Sequence, residues 1–353
     1  MHDFLPQYGG AIAQAIERVL ERKADELAPI NPWGADVCAR LKGFATRGKM
    51  LRGKLVVLSY LMFHDSIEPP VLDAAAAIEL LHSSLLIHDD IMDRDLVRRG
   101  QPTVSAQYQG WGEGQGLSDP YHFGLSMGIC AGDVAFFIAL EILGSMEAAP
   151  SAVATLLALF AREITCVGVA QMQDVFLGSG KGAIDEEDIY TLYTYKTGRY
   201  TFSLPMMTGA LLAGQGPDIL SQLEAIGICL GIMYQIRDDE LGLFGDEAEL
   251  GKPVGSDLQE EKQTLYYRAL MERATDGERE RLSHIVGKQG IAQADMDYVR
   301  RLIAEHGIKR DIDERVAQLA SRARGLIASL DGVHPESRAC LLDLLEYSVS
   351  RER

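Results

Sequence analysis

An all-α fold is predicted by three features of this 353-residue sequence. Apolar residues recur at three- and four-residue spacing through most of the chain, as they do on one face of an α-helix. The alternation of apolar and polar residues that marks β-strands is scarce. Segments such as Ser151–Gln173 and 216–236 are apolar nearly all round, which indicates helices packed on every side by other helices. The expected fold is therefore a large helical bundle.

The individual helices are placed by this periodicity and by the polar, glycine-containing segments between them. Residues 108–123 and 242–257 combine glycine with polar or charged residues and are expected to be loops. Because no linker or shift in composition marks a boundary, residues 1–353 are expected to form a single domain. The predicted helices cover residues 11–28, 34–45, 50–64, 70–93, 124–146, 150–178, 185–213, 217–242, 259–273, 276–288, 292–305, 309–330 and 335–350.

Composition excludes several classes of protein. A formal net charge of −17 argues against nucleic-acid partners and against adsorption to anionic membranes. The five cysteines are scattered without a CxxC pair, as in a reduced core, which disfavours a zinc site. The longest near-apolar run, 225–236, is shorter than a bilayer requires, so no stable membrane insertion is expected. The N-terminus lacks the features of a signal peptide, and a cytoplasmic protein is expected.

Two acidic clusters, DDIMD at 89–93 and RDDE at 237–240, follow apolar helical runs. Asp89 and Asp93 share one helix face at i,i+4, whereas Asp90 points about 100° away. Aligned carboxylates are hard oxygen ligands for Mg²⁺, which in turn binds phosphate oxygens. For a single DDxxD the alternative is a solvated acidic face, but an apolar setting makes a cationic partner necessary.

Basic residues accompany both acidic clusters in short, glycine-containing stretches. Each alone could be an ordinary surface charge, but together, in so acidic a chain, they indicate sites for phosphate groups. They are Lys49 and Arg52 in RGKMLRGK, Arg98 and Arg99 after the first cluster, Lys196 in KTGRYTF, and Lys252 and Lys262 after the second.

Five motifs in this order resemble those of the trans-isoprenyl diphosphate synthase (polyprenyl synthetase) family, from about residue 47 to residue 265. RGKMLRG resembles its GGKxxRP, and ELLHSSLLIHDDIMDRDLVRRGQPT its first aspartate-rich region. GVAQMQD, YKTG and YQIRDDELGLFGDEAELGKPVGSDL resemble its GQxxD, its KTA and its second aspartate-rich region. Arg47 and Gly53 replace a glycine and a proline of the first motif. Gly242 stands where the family often has the last aspartate of the second region, which leaves Asp238 as the expected direct metal ligand there.

The resemblance implies the isoprenoid synthase fold, a bundle of long antiparallel helices around a central cavity, and a Mg²⁺-dependent prenyltransferase. An allylic diphosphate would bind between the acidic regions, and isopentenyl diphosphate would attack its cation head to tail, with released pyrophosphate as proton acceptor. The implied metal ligands are Asp89, Asp93 and Asp238, with Asp239 in support. The implied allylic diphosphate contacts are Arg98, Lys196, Lys252 and Lys262, and the isopentenyl diphosphate contacts are Lys49, Arg52, His82 and Arg99. Thr197 and Gln235 would stabilise the cation, with Tyr234 as an aromatic wall.

Some residues admit two interpretations at this point. His82 is either a ligand or an ordinary helix histidine, and the resemblance favours the ligand. Gln171 and Asp174 are either supporting residues of the site or ordinary buried polar residues. The chain-length floor is expected at Leu81, Ser84 and Leu85; since Ser84 and Leu85 are not aromatic, geranylgeranyl diphosphate is the expected product, with a farnesyl or longer product as the alternative.

Two other functions are compatible with parts of this sequence. A class I terpene cyclase would need an NSE-type second metal motif and no isopentenyl diphosphate site, whereas this chain has RDDE, Lys49, Arg52 and RRG. A non-catalytic partner subunit of another synthase would have lost ligands or arginines, and Gly242 alone points that way. The resemblance also implies a homodimer.

Overall fold

The computed structural model of the chain describes residues 6–178, 185–245, 255–288 and 290–350. These residues are almost entirely helical, with one two-stranded hairpin, which confirms the all-α prediction. The elements are α1 (Pro6–Leu27), α2 (Pro32–Ala45), α3 (Leu51–Leu61), α4 (Pro69–Met92), β1 (Val97–Arg98), β2 (Gln101–Pro102), α5 (Val104–Gly114), α6 (Pro120–Ser145), α7 (Pro150–Leu177), α8 (Glu186–Leu192), a π-helix (Tyr193–Ser203), α9 (Leu204–Leu212), α10 (Pro217–Phe244), α11 (Ser256–Gln259), α12 (Leu265–Arg273), α13 (Asp276–Ser283), α14 (Gln293–Glu305), α15 (Ile308–Ala328) and α16 (Pro335–Val349).

The described residues divide into two compact units. The first unit contains residues 6–159 and 205–216, and the second contains residues 160–204 and 217–350. Helix α4 is the centre of the first unit, where it packs against α1, α3, α5 and α6. Helix α10 has the same place in the second unit, against the π-helix, α15 and α16. The prediction of a single domain stays a prediction.

Small residues allow the close packing of α4 in the first unit. Its residues 74–77 are four consecutive alanines, and all four are fully buried. Alanine keeps high helix propensity and leaves room for neighbouring backbones. The middle of the helix is therefore held in a dense core, and its acidic end emerges from that core.

The predicted loop at 108–123 is wrong, because α5 runs to Gly114 and α6 begins at Pro120. The hydroxyl of Thr103 caps α5 by accepting a hydrogen bond from the backbone N–H of Ala106. The ring of Trp33 packs edge-on against Tyr108 and Trp111, with centroid distances of 6.1 and 5.0 Å. Aromatic packing of this kind outweighs the low helix propensity of the glycines in this segment.

The predicted helix over 185–213 contains a π-helix in its middle. Tyr193–Ser203 adopts i→i+5 hydrogen bonding between α8 and α9. Here the π-helix and α10 approach very closely, because a Cβ atom on Gly231 would lie 2.2 Å from the Cα atom of Gly198. Glycine is therefore required at this contact, and the KTG motif is carried on backbone in direct contact with α10. Such π-segments are frequent at functional sites.

Within the described part of the chain, four helices, α4, α6, α7 and α10, are long and apolar enough to cross a membrane by length and composition alone. The short apolar run at 225–236 lies inside the 28-residue helix α10, so length does not separate these helices from membrane spans. In α4, 67% of the most apolar window is buried within the protein. The absence of stable membrane insertion stays a prediction.

Candidate active site

The first acidic cluster closes α4. Asp93 caps the helix, and its backbone N–H donates to the carbonyl of Asp89 at 2.8 Å, so the two residues are one turn apart as predicted. Asp89 is half-buried and Asp93 is exposed. The two carboxylates therefore stand at the end of a buried helix, where a hydrated cation can reach them.

Asp90 lies on the inner side of the same helix, with 1% of its surface exposed. Its Oδ1 accepts a hydrogen bond from Nε of Arg98, whereas its Oδ2 is buried with no hydrogen-bond partner in the described part of the chain. Burial raises the pKa of Asp90 to about 6, although Arg98 opposes this shift. Arg98 also lies 4.0 Å from Asp89 and 3.6 Å from Asp95. The arginine is thus anchored on the acidic cluster, rather than left on the surface.

A basic cluster lies in the same unit. Residues 97–102 form a tight hairpin in which Arg98 pairs with Gln101, and Arg99 and Gly100 occupy the turn with φ of +53° and +70°. Positive φ at both central residues is the geometry of a two-residue hairpin turn, and it strains a non-glycine residue. A Cβ atom on Gly48 would lie 3.2 Å from the Arg99 guanidinium, so this glycine of the first motif makes room for it.

Glu79 is a buried residue of this cluster that sequence reasoning missed. It is 4% exposed, and its Oε1 accepts a hydrogen bond from the backbone N–H of Gly53 at 2.8 Å. Burial raises the pKa of Glu79, against the opposing effect of Arg52 and Arg99. The available signal was a single glutamate within the apolar run 74–81. This hydrogen bond also explains why Gly53 can replace the proline of the family's motif here, since proline has no N–H to donate to Glu79.

His82 lies on α4 one turn after Glu79. Burial, followed by repulsion from Arg52 and Arg99, lowers the pKa of His82 well below its usual range. The imidazole is therefore neutral at physiological pH and can serve as a neutral hydrogen-bond donor. His82 therefore lies close enough to Arg52 and Arg99 to feel their charge. These three residues were assigned together to isopentenyl diphosphate from the sequence. Lys49 is exposed on the turn before α3.

The predicted chain-length residues lie on α4, before the acidic cluster. Leu81 and Ser84 are fully buried, and Leu85 is half-buried. The Ser84 hydroxyl has no hydrogen-bond partner among the described residues. An aromatic ring at this fully buried position would need room that the close-packed neighbours of Ser84 would have to yield.

The second unit holds a hydrogen-bonded network along the π-helix and α10. The Thr197 hydroxyl donates to Oε1 of Gln235 at 2.9 Å, and Nε2 of Gln235 donates to Oδ1 of Asp239 at 2.9 Å. Tyr193 donates its hydroxyl to the other oxygen of Asp239. Desolvation raises the pKa of Asp239 well above its usual range, with repulsion from Asp257 as the next cause. The structure thus joins Thr197 to Gln235, and places Asp239 behind them rather than at the surface.

Lys196 forms an ion pair with Asp174, so the KTG and GQxxD motifs meet within this unit. Asp174 is half-buried and contacts a predicted site residue, and its role as a supporting residue stays a prediction. Nearby, Arg199 binds the fully buried Glu163 through two hydrogen bonds of 2.8 Å. A buried bidentate pair of this kind fixes the π-helix against α7.

The second acidic cluster ends at Gly242, where Asp257 occupies the adjoining space. A Cβ atom on Gly242 would lie 2.8 Å from Oδ2 of Asp257. Lys262 lies 3.7 Å from Asp257 and 2.7 Å from Glu260. Asp238 is half-buried on α10. Asp257 was not singled out in the sequence analysis, although the GSDL segment contained it; Lys252 falls outside the described residues.

Paired aspartates at the end of a buried helix, a cluster of arginines and a Thr–Gln–Asp network on an all-α chain define a class of enzymes that handle diphosphates. The Polyprenyl synthetase family model matches residues 39–303, and the chain belongs to this family. Its members include trans-prenyltransferases, and this chain is an enzyme of that type. The family and fold predicted from the five motifs are confirmed.

The similarity extends to characterised proteins and solved structures. A short chain isoprenyl diphosphate synthase of Methanothermobacter thermautotrophicus is 37% identical over 246 residues, which is 68% of each chain. A geranylgeranyl diphosphate synthase of Saccharolobus solfataricus is 31% identical over 78% of this chain and 79% of its own. The crystal structure of a Corynebacterium glutamicum geranylgeranyl pyrophosphate synthase, complexed with isoprenyl diphosphate and magnesium, superposes with a TM-score of 0.90. It is 30% identical and covers 98% of this chain and 99% of its own.

Proposed function

We propose that this enzyme condenses isopentenyl diphosphate with an allylic diphosphate and makes geranylgeranyl diphosphate as its main product. The observation that carries the proposal is the network in which Thr197, Gln235 and Asp239 are fixed by hydrogen bonds. In this reaction a bond forms between the terminal alkene carbon of isopentenyl diphosphate and C1 of the allylic group. The allylic C–O bond breaks, and pyrophosphate and one proton are released.

Thr197 is suited to stabilise the allylic cation. Because its hydroxyl hydrogen is committed to Gln235, the lone pairs of Oγ1 remain available to positive charge. Asp239 accepts from the Gln235 amide nitrogen and so keeps the amide oxygen turned toward Thr197. A dipole fixed before the reaction costs no reorganisation when the cation forms.

Magnesium is the proposed cofactor, and the donor set fits it. Mg²⁺ keeps several waters and binds proteins through one or two carboxylates plus substrate phosphates. Among the residues that the structure describes, no three histidine, cysteine or acidic side chains are grouped closely enough to hold a metal ion without further ligands. Asp89, Asp93 and Asp238 would hold the ions, and the ions would neutralise charge on the leaving pyrophosphate. Arg98, Lys196 and Lys262 would add positive charge.

Isopentenyl diphosphate is assigned to the basic cluster of the first unit. Arg52, Arg99 and Lys49 provide charge, and the neutral imidazole of His82 provides a hydrogen bond without adding further repulsion. A buried acid, Glu79, lowers the cost of placing arginines together. This assignment also disfavours the terpene cyclase, which has no use for a second diphosphate site.

The product length rests on the named relatives and on α4. Geranylgeranyl diphosphate synthases recur among the relatives, and the buried floor residues Leu81 and Ser84 are not aromatic. The test is incubation with Mg²⁺, labelled isopentenyl diphosphate and, separately, dimethylallyl, geranyl or farnesyl diphosphate. Elongation that stops at the C20 alcohol after dephosphorylation is expected. Failure to incorporate label with every starter would instead support a non-catalytic partner subunit.

A homodimer is also proposed, with an exposed apolar side of α6 as the contact. Ile129 and Phe137 lie about two turns apart on this helix, and Phe137 is 66% exposed. Single apolar residues on a surface are ordinary, but two on one side of a strongly apolar helix favour a partner. The Phe137→Glu variant should lower the mass measured by light scattering to that of a monomer. An Ile30→Glu variant, at an exposed apolar residue outside α6, is the control and should not change the mass.

A further inference from the structure

A cavity of about 500 Å³ opens in the first unit between α2, the turn that follows it and the hairpin. Arg40, Arg47, Arg98 and Arg99 line it, together with a single carboxylate, Asp36. Four guanidinium groups around one cavity are unexpected in a chain whose net charge is −17. The positive charge of the four arginines that line the cavity therefore indicates a negatively charged partner.

Two of the four arginines form ion pairs with carboxylates. Arg40 binds Asp36 through hydrogen bonds of 2.8 and 3.1 Å and also donates to Gln107. Arg98 is held by Asp90. Both guanidinium groups thus have defined structural partners.

Arg47 and Arg99 are different, because neither forms a hydrogen bond or an ion pair with the residues that the structure describes. Arg99 is also held at a φ of +53° in the hairpin turn, which is a strained conformation for a non-glycine residue. Arg47 stands on the turn after α2, where the family motif has glycine. The cavity wall consequently carries two guanidinium groups without a direct carboxylate contact among the described residues, although Glu79 and Asp90 attract Arg99 at longer range.

Resting on the proposed function, we propose that Arg47 is a further substrate-binding residue, which binds the diphosphate of isopentenyl diphosphate at the mouth of this cavity together with Arg99. The planar guanidinium suits two oxygens of one phosphate, and Arg99 joins the cavity to Arg52 and His82. Free pyrophosphate presents the same chemistry, so the experiment includes it separately.

The test compares wild type with Arg47→Gly, which restores the family residue, and with Arg47→Ala and Arg47→Lys. The KM for isopentenyl diphosphate should rise roughly 5- to 20-fold in the glycine and alanine variants, the loss expected for one exposed charged contact. The kcat and the KM for the allylic substrate should stay unchanged, and the lysine variant should lie between. High ionic strength should shrink the difference, because Arg47 is exposed.

A matched control removes a nearby charge outside the cavity. Lys42→Ala, on the last turn of α2, breaks an exposed pair with Glu21 and should leave all kinetic constants unchanged. Calorimetric titration of isopentenyl diphosphate in EDTA gives a readout without turnover, and affinity should fall by the same factor in Arg47→Gly. Inorganic pyrophosphate is titrated in parallel.

An unchanged affinity for isopentenyl diphosphate in Arg47→Gly, with an active wild type, would overturn the inference and leave the proposed function intact. A loss confined to pyrophosphate would also overturn it, since the cavity would then serve the free anion. If wild type elongates no starter, the proposed function fails, and the EDTA titration still decides whether Arg47 binds this substrate.

Discussion

Restoring the family's aspartate at position 242 should destabilise this protein. The Cβ atom of any new side chain there would lie 2.8 Å from Oδ2 of Asp257, so that carboxylate must move. Gly242→Asp would then place two carboxylates side by side within the second unit. Asp257 is largely shielded from solvent, with 16% of its side chain exposed. The substitution that restores the family's motif therefore introduces repulsion between two carboxylates.

The magnitude follows from the geometry. Two unit charges about 4 Å apart interact with roughly 4 kcal/mol at an effective dielectric constant of 20. Lys262, 3.7 Å from Asp257, and movement of the new side chain both reduce this value, so about 2 kcal/mol of net destabilisation is expected without divalent metal. The higher helix propensity of a non-glycine residue inside α10 stabilises the variant by about 0.5–1 kcal/mol and so offsets part of this loss.

Urea unfolding at low ionic strength, with and without Mg²⁺, measures this effect. Gly242→Asn is the matched control because it has nearly the same shape and no charge. The aspartate variant should be about 2 kcal/mol less stable than the asparagine variant in EDTA, and Mg²⁺ should narrow the gap by binding the paired carboxylates. Adding Asp257→Asn should rescue the aspartate variant. Equal stability of the two variants in EDTA would refute the reasoning.

Three further predictions concern the first unit and the network. Ser84→Phe should place a bulky ring on α4 before the acidic cluster and shorten the main product resolved by chromatography; an unchanged product profile would contradict the chain-length assignment. Thr197→Val should lower kcat by about 10- to 100-fold at unchanged KM for isopentenyl diphosphate, and Thr197→Ser should restore most of it. Gly53→Pro should be less stable to urea than Gly53→Ala by about 1–3 kcal/mol, because both add a Cβ atom but only proline removes the N–H that Glu79 accepts; equal stability would show that this bond contributes nothing.

Much of the fold was predictable because the helical spacing of apolar residues over long segments can be recognised in one sequence. The helix predicted over 70–93 corresponds to α4, and the alignment of Asp89 with Asp93 followed from helix geometry alone. The error at 108–123 arose because glycine content is a local signal, whereas the packing of Trp33 against Trp111 is a tertiary one. No sequence pattern specifies that contact.

The site was predictable to the extent that its residues lie in motifs. Thr197 and Gln235 were assigned to one site from their motifs, but the hydrogen bond that joins them depends on how the π-helix meets α10. Glu79 and Asp257 were missed for a different reason. Each is a single acidic residue whose importance lies in what its carboxylate touches, Gly53 in one case and the space beside Gly242 in the other.

The π-helix also makes the orientation of its side chains sensitive to insertions and deletions. Each residue of an α-helix turns the chain by about 100°, so a segment that shifts between i→i+5 and i→i+4 bonding rotates its side chains relative to the flanking helices. Thr197 faces Gln235 in one hydrogen-bond register of Tyr193–Ser203. Deleting a single residue from this segment would preserve a continuous helix and yet turn Thr197 away from its partner. The contact between Thr197 and Gln235 depends on backbone register as much as on the identity of the two side chains.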